Sequence, residues 1–261
     1  MYDILSEDYD RFVHWPGRLN FEMPFLEKIL GSLGRKQGEP AVRVLDAACG
    51  TGMHALALAQ KGFEVSGADL SEGMIDRARQ NAAAEGVDLP FAVAGFGDLG
   101  QIYVPASFDA VICLGNSLPH LISRAEVADT LCQFEELLAP GGVLLVQNRN
   151  FDVVMDTRQR WMEPQSHREE DREWIFVRFY DFQEDGLIAF NILTLRREAL
   201  SDWMQSQATT LLRPQSHDEL VDLAQRAGLE HIEALGSLDG SAFDAEKSGN
   251  LILLARKGSG G

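Results

Sequence analysis

Short apolar segments alternate with helical segments from about residue 22 to residue 146. The apolar segments predict strands, and the stretches between them predict helices. The predicted strands are 42–46, 63–68, 89–94, 108–114 and 142–147, and the predicted helices are 53–61, 72–85 and 124–138. This alternation is typical of a parallel sheet with helices on both faces, since the crossovers between parallel strands are right-handed. We therefore expect a three-layer α/β sandwich.

After Asn150 the pattern changes to period two. Residues 174–182 and 187–195 alternate around Glu184-Asp185-Gly186, which predicts an antiparallel hairpin. A third strand near 206–213 is expected to complete a small sheet. The aromatic side chains of the hairpin are expected to pack this sheet together.

The end of the chain returns to the core pattern. Residues 216–219 have the form of a capping box, which predicts a helix to about Ala227, and the apolar segments at 230–236 and 250–256 predict two final core strands. The sheet would then have seven strands. Three regions follow: an N-terminal helical cap at 1–40, a core at 41–150 and 214–257, and an inserted antiparallel sheet at 151–213.

Acidic residues outnumber basic residues by 40 to 23, which gives a formal charge of −17. A surface of this sign repels phosphate backbones and anionic membranes, so neither nucleic acid nor membrane is an expected partner. Cys49, Cys113 and Cys132 follow no disulfide or zinc pattern. This cysteine usage favours a reducing, cytoplasmic location without a metal site. The composition is compatible with a homo-oligomer.

A glycine-containing loop follows the first predicted strand. Asp46 ends the strand, and Gly50 and Gly52 lie in the loop that leads into the next helix, where the lack of Cβ atoms lets a ligand approach the backbone. The carboxylate of Asp46 suits the ammonium group of a methionine moiety and disfavours a diphosphate. A dinucleotide-binding loop has a third glycine, but Ala55 stands at that position here. Asp69 ends the second strand, where it can accept hydrogen bonds from ribose hydroxyls. The loop therefore indicates an adenosyl-methionine cofactor rather than NAD.

Two segments, Val44 to Gly52 and Asp69-Leu70-Ser71-Glu72-Gly73-Met74, resemble the class I S-adenosylmethionine-dependent methyltransferases. The resemblance implies a Rossmann-like methyltransferase three-layer sandwich with a mostly parallel seven-stranded sheet and a small antiparallel sheet inserted after strand five. It implies that Asp46 and Gly50 hold the methionyl end, that Asp69 holds the ribose, and that the N-terminal segment folds over the cofactor. The full set of implied cofactor-binding residues is Tyr9, Trp15, Arg18, Asp46, Ala48, Gly50, Gly52, Asp69, Leu70, Met74, Gly95, Phe96 and Leu114.

The segments after strands four and five concern the methyl acceptor. Cys113 to Ser117 and Arg149 to Asp152 resemble the glycine and sarcosine N-methyltransferases, in which the arginine binds the amino-acid carboxylate. Asn116, His120 and Arg149 are accordingly the candidate catalytic residues, although His120 could instead be a structural hydrogen-bonding residue and Arg149 a surface salt bridge. Arg178 and Arg213, in the inserted sheet, are expected to be solvated.

The sequence therefore predicts an S-adenosylmethionine-dependent methyltransferase that acts on a small molecule and releases S-adenosylhomocysteine. The preferred acceptor is the amine of a carboxylate-bearing metabolite. Two alternatives remain open: an O-methyltransferase of a small hydroxyl compound, and a cofactor-binding module without catalysis. The inserted sheet is expected to cover the mouth of the site as a lid that excludes water.

Overall fold

The computed structural model describes residues 6, 8–34, 40–199 and 201–259, so parts of the predicted N-terminal cap, namely 1–5, 7 and 35–39, lie outside the described residues. The helices are α1 (Tyr9–Phe12), α2 (Trp15–Gly31), α3 (Met53–Gln60), α4 (Glu72–Ala84), α5 (Leu99–Ile102), α6 (Arg124–Leu137), α7 (Phe151–Thr157) and α8 (His217–Arg226). The strands are β1 (Arg43–Ala47), β2 (Glu64–Asp69), β3 (Phe91–Val93), β4 (Phe108–Cys113), β5 (Leu138–Arg149), β6 (Gln165–Glu169), β7 (Arg172–Phe182), β8 (Ile188–Glu198), β9 (Met204–Leu212), β10 (Leu229–Leu235) and β11 (Asn250–Lys257). Within these ranges no helix is both long and apolar enough to cross a membrane.

The core is a seven-stranded sheet in the order β10-β11-β5-β4-β1-β2-β3. The pairs among β1 to β5 are parallel, and β11 is antiparallel to both of its neighbours. This confirms the predicted Rossmann-like sandwich. Because successive side chains of a strand point to opposite faces, Val44 and Leu45 belong to different hydrophobic cores. One core is covered by α5, α6 and α8, and the other by α2, α3 and α4.

The second sheet has four antiparallel strands in the order β6-β7-β8-β9. The predicted hairpin is confirmed as β7 and β8, with Phe182 opposite Ile188 at the turn, and the predicted third strand is β9. Strand β6 and helix α7 were not predicted. Gln165-Ser-His-Arg-Glu169 contains no apolar residue, so no hydrophobic periodicity marks β6. The division of the chain into cap, core and inserted region stays a prediction.

The loop between β1 and α3 depends on backbone conformations with positive φ. Gly50 has φ of 55° and Gly52 has φ of 76°, in the left-handed region that favours glycine. The amide of Gly52 donates to the carbonyl of Cys49, and its carbonyl accepts from Leu56 in the first turn of α3. A Cβ on Gly52 would lie 2.9 Å from the Cβ of Ala78 and 2.9 Å from the Cζ of Phe91. Gly52 therefore allows α3 to pack closely against α4 and β3.

We expect Gly52→Ala to lower the free energy of unfolding by about 2–5 kcal/mol, because it combines backbone strain with overpacking. Gly62→Ala is the matched control: Gly62 also has positive φ, at 90°, but a methyl group added there would meet no atom within 4 Å beyond its chain neighbours. Gly62→Ala should lower the free energy of unfolding only by the backbone strain, about 1–2 kcal/mol. Urea unfolding of both variants measures the difference. Equal losses of unfolding free energy would show that Ala78 and Phe91 can move to accommodate the added methyl group without an energetic penalty.

Candidate active site

A cavity of about 400 Å³ lies at the carboxyl ends of β1, β2 and β4. Twelve of the thirteen predicted cofactor-binding residues line it, and the exception is Gly52, which packs against Ala78 and Phe91 instead. Of the candidate catalytic residues, His120 lines the cavity, whereas Asn116 and Arg149 do not. The lining residues that the sequence prediction did not include are Cys49, His54, Ala94, Leu99, Gly115, Ser117, Leu121 and Thr210.

Asp46 is the buried carboxylate at the end of β1. Its Oδ2 atom has no hydrogen-bond partner in the described structure. Burial raises the pKa of Asp46 to about 7, the negative charge of Asp69 adds to the increase, and Arg18 and the amide of Ala55 oppose it. A buried oxygen of this kind is well suited to a cationic group, which would both pair with it and restore its ionised form.

Asp69, at the end of β2, has both carboxylate oxygens fixed by backbone amides. Oδ2 accepts from Gly50 and Oδ1 accepts from Ser71, each at 2.9 Å. Ser71 in turn caps α4 by accepting from the amide of Met74. Since each carboxylate oxygen has two lone pairs, the group can still accept hydrogen bonds from hydroxyls in the cavity.

Arg18 is held on the cavity wall by a buried polar group on α2. Its Nε donates to both oxygens of Glu22, at 3.1 and 3.0 Å, and the Nε2 of His54 lies 2.6 Å from Oε2 of Glu22. Burial alone would raise the pKa of Glu22, but the hydrogen bond to His54 and the charge of Arg18 lower it. Burial lowers the pKa of His54. Glu22 is therefore ionised at neutral pH and fixes the guanidinium in place.

The N-terminal segment is fixed on the cofactor loop by Asp10, which the sequence prediction missed. Its carboxylate accepts hydrogen bonds from four side chains on three parts of the chain. The donors are Trp15 Nε1 at 2.8 Å, Thr51 Oγ1 at 2.6 Å, Arg77 Nε at 2.9 Å and Asn81 Nδ2 at 3.1 Å. These bonds place the neighbouring Tyr9 and Trp15 on the cavity wall.

The loop after β4 is positioned by β5. The amide of Asn116, which has φ of 70°, donates to the carbonyl of Gln147, and its Oδ1 accepts from the amide of Arg149 at 2.8 Å. The side chain of Asn116 thus joins two strand ends and does not face the cavity. His120 follows in a 3₁₀ turn, and burial lowers its pKa to about 4. Its imidazole is therefore neutral at physiological pH.

Arg149 and Arg178 lie close together at the edge of the core next to the second sheet. The Nε atom of each is buried without a hydrogen-bond partner. Burial lowers the pKa of Arg178, and the positive charge of Arg149 lowers it further. The expectation that Arg178 and Arg213 are solvated is wrong for both: Arg178 stacks on the ring of Phe12 at 4.7 Å, and Arg213 pairs with Glu219. The inserted sheet packs on the core and so covers these side chains.

Comparison with known proteins identifies the family. Residues 44–142 match the family described as Methyltransferase domain. The glycine/sarcosine N-methyltransferase of Aphanothece halophytica is 31% identical over 200 residues, which are 74% of this chain and 73% of that protein. The chain belongs to the S-adenosylmethionine-dependent methyltransferases. The prediction of an enzyme, rather than a non-catalytic module, is therefore confirmed.

Other relatives match over less of their length or show the fold alone. The glycine/sarcosine N-methyltransferase of Halorhodospira halochloris is 35% identical over 154 residues, and this methyltransferase spans 55% of it. The crystal structure of an S-adenosylmethionine-dependent methyltransferase from Clostridium acetobutylicum superposes with a TM-score of 0.78 at 16% identity and covers 98% of this chain and 99% of that chain. At this identity the superposition supports the fold.

The cavity fits the cofactor of the family. The unpartnered Oδ2 of Asp46 would accept the methionyl ammonium, the guanidinium of Arg18 would meet the carboxylate, and Asp69 would accept from the ribose. S-Adenosylmethionine supplies a sulfonium methyl group for in-line displacement. The methyltransferase itself has to bind, orient and desolvate the two reactants.

We expect cofactor affinity to fall by about tenfold between pH 7 and pH 5.5, because an ammonium group stays charged over this range whereas Asp46, with a pKa of about 7, becomes protonated. Calorimetric titration with S-adenosylhomocysteine measures the change. Asp46→Asn keeps the shape of the side chain and should remove most of the pH dependence. A wild-type affinity that is constant over this range would contradict the placement of the ammonium at Asp46.

Proposed function

We propose that this methyltransferase transfers the methyl group of S-adenosylmethionine to the amine of a small carboxylate-bearing metabolite. The observation that carries this proposal is the state of Arg149. Its side chain forms no ion pair or hydrogen bond with the described residues, and its Nε is buried at the carboxyl end of β5. A buried N–H of a charged group without an acceptor is costly, and a carboxylate would supply the missing partner in bidentate geometry.

Arg149 does not line the cavity, but it is connected to the cavity through neighbouring side chains. Arg178 lies within electrostatic reach of Arg149 and also of the hydroxyl of Tyr9, and Tyr9 is on the cavity wall next to Gly50. A carboxylate bound at Arg149 would therefore lie near Arg178, whose charge also acts on Tyr9. The amine of the same small molecule would point from there toward the cofactor.

The environment of His120 favours an amine over a hydroxyl as the acceptor. A phenolic hydroxyl has a pKa near 10, whereas the pKa of His120 is about 4. This imidazole is therefore a weak base and would not remove the proton of a hydroxyl efficiently. An amine can lose its proton to water before binding and then needs only orientation, so neutral His120 would accept a hydrogen bond from it.

The size of the site favours a small acceptor. A volume of about 400 Å³ lies near the lower end of the range of ligand sites, about 300–1,000 Å³, and the cofactor has to share it. The relatives are also named for amine acceptors. They include the Aphanothece enzyme and, at 36% identity over 118 residues, a dTDP-3-amino-3,6-dideoxy-alpha-D-glucopyranose N,N-dimethyltransferase of Streptomyces fradiae.

The second sheet would act as the lid of this site. Thr210 of β9 lines the cavity, and the amide of Arg213 donates to the carbonyl of Pro119 in the turn that carries His120, at 2.7 Å. These contacts support water exclusion by the sheet during methyl transfer. A cytoplasmic location, the absence of a nucleic-acid partner and a homo-oligomeric state stay predictions from the composition.

We expect Arg149→Ala and Arg149→Lys each to lower kcat/KM for the acceptor by at least about tenfold, roughly 1.4 kcal/mol, while cofactor affinity stays nearly constant. Lysine keeps the charge but loses the planar fork. The acceptor is first found by measuring S-adenosylhomocysteine release with amino acids, amino sugars and phenols. Arg168→Ala is the control, because Arg168 is an exposed arginine of the second sheet, paired with Glu173. Normal acceptor kinetics in both Arg149 variants would refute the carboxylate-binding role.

A further inference from the structure

Arg178 has a second arginine, Arg149, within electrostatic reach, and no carboxylate of the described residues is among the groups that act on it. Asp69 and Asp10 act on the neighbouring Tyr9 instead. The charged and titratable groups that act on Arg178 are Arg149, Tyr180 and Tyr9. Those that act on Tyr180 are the same two arginines. Within the described part of the chain, neither guanidinium forms an ion pair or a hydrogen bond through its side chain. Arg197 of β8, by contrast, is paired with Glu173.

The surroundings of Arg178 hold it in a defined position without using its hydrogen-bond donors. Its guanidinium lies over the ring of Phe12, with 4.7 Å between Cζ and the ring centroid, and Phe12 packs edge-on against Phe176. Attraction to the face of an aromatic ring holds the cation without a conventional hydrogen-bond acceptor, so its N–H groups can still bind an anion. Tyr180, which is buried, adds a hydroxyl donor close to both arginines.

Two like charges at partly buried positions repel each other and lose hydration, so the pair is best stabilised by a ligand of equal and opposite charge. A single carboxylate would neutralise only one of the two. We propose that Arg178 binds a second anionic group of the acceptor, and that the acceptor is a small amine carrying two carboxylates. This inference rests on the proposed function, because it takes Arg149 as the residue that binds the first carboxylate.

The test uses the full chain saturated with S-adenosylhomocysteine and simple anions that carry no amine. Calorimetry measures the affinities of acetate, malonate and pyrophosphate for wild type, Arg149→Gln, Arg178→Gln and Arg168→Gln. Arg168→Gln removes one positive charge from the same sheet at an exposed position and serves as the matched control. The affinity for S-adenosylhomocysteine, measured on each variant, reports that the fold is intact.

We expect wild type to bind malonate at least about tenfold more tightly than acetate, a difference of roughly 1.4 kcal/mol. Arg178→Gln should abolish this preference while acetate affinity changes little. Arg149→Gln should weaken the binding of both anions, and Arg168→Gln should leave the binding of both unchanged. The ratio of malonate affinity to acetate affinity in wild type tests the inference even if a variant fails to fold.

Three results would overturn the inference. Equal wild-type affinities for acetate and malonate would show that one charge suffices. Equal weakening of both anions by Arg178→Gln would place a single carboxylate between the two arginines. Stronger binding of pyrophosphate than of malonate would indicate a diphosphate, as in a nucleotide-linked sugar. By contrast, unchanged anion binding in Arg149→Gln, with a loss in Arg178→Gln, would refute the proposed role of Arg149 and leave Arg178 as an anion-binding residue.

Discussion

The carboxylate of Asp10 is the group that holds the N-terminal segment on the cofactor loop. Helix α1 has only four residues. A helix of this length is not stable by itself in water, so α1 depends on contacts with the rest of the protein. Asp10 fixes it by accepting hydrogen bonds from Trp15, Thr51, Arg77 and Asn81, which belong to α2, the cofactor loop and α4. Arg11 then pairs with Glu169 of the second sheet. One short helix therefore joins the cofactor loop to the second sheet.

Two carboxylates inside the cavity and two arginines outside it have polar atoms or charges that matter for binding. Asp46 and Asp69 end adjacent strands and line the cavity, whereas Arg149 and Arg178 lie outside it, and Tyr9 is within electrostatic reach of both Asp69 and Arg178. The Oδ2 of Asp46 and the Nε atoms of Arg149 and Arg178 are buried without a hydrogen-bond partner in the described structure. Under the proposed function, the cofactor and the acceptor would supply these missing partners.

The sequence predicted the features that depend on local pattern. Strand periodicity located the seven core strands and the β7–β8 hairpin, and the resemblance to the class I methyltransferases implied twelve of the residues that line the cavity. It did not predict features that depend on long-range contacts. Nothing local distinguishes Asp10 from other acids near the N-terminus, and the burial of Arg178 arises only when β7 packs against α1. Asn116 was given a chemical role from its motif, but its side chain bonds the backbone of Arg149. The roles of the cavity residues in ligand binding stay predictions.

The position of Arg178 on β7 also bears on how such enzymes diverge. Arg149 belongs to the core sheet, but Arg178 belongs to the second sheet, which shares no strand with the core sheet in the described part of the chain. A change of side chain at Arg178 therefore alters none of the strand pairs among β1, β2 and β4, from which the cofactor loop extends. If Arg178 binds the acceptor as proposed, an enzyme of this fold would change its acceptor by exchanging this one side chain, while the residues at the donor site remained under the same selection.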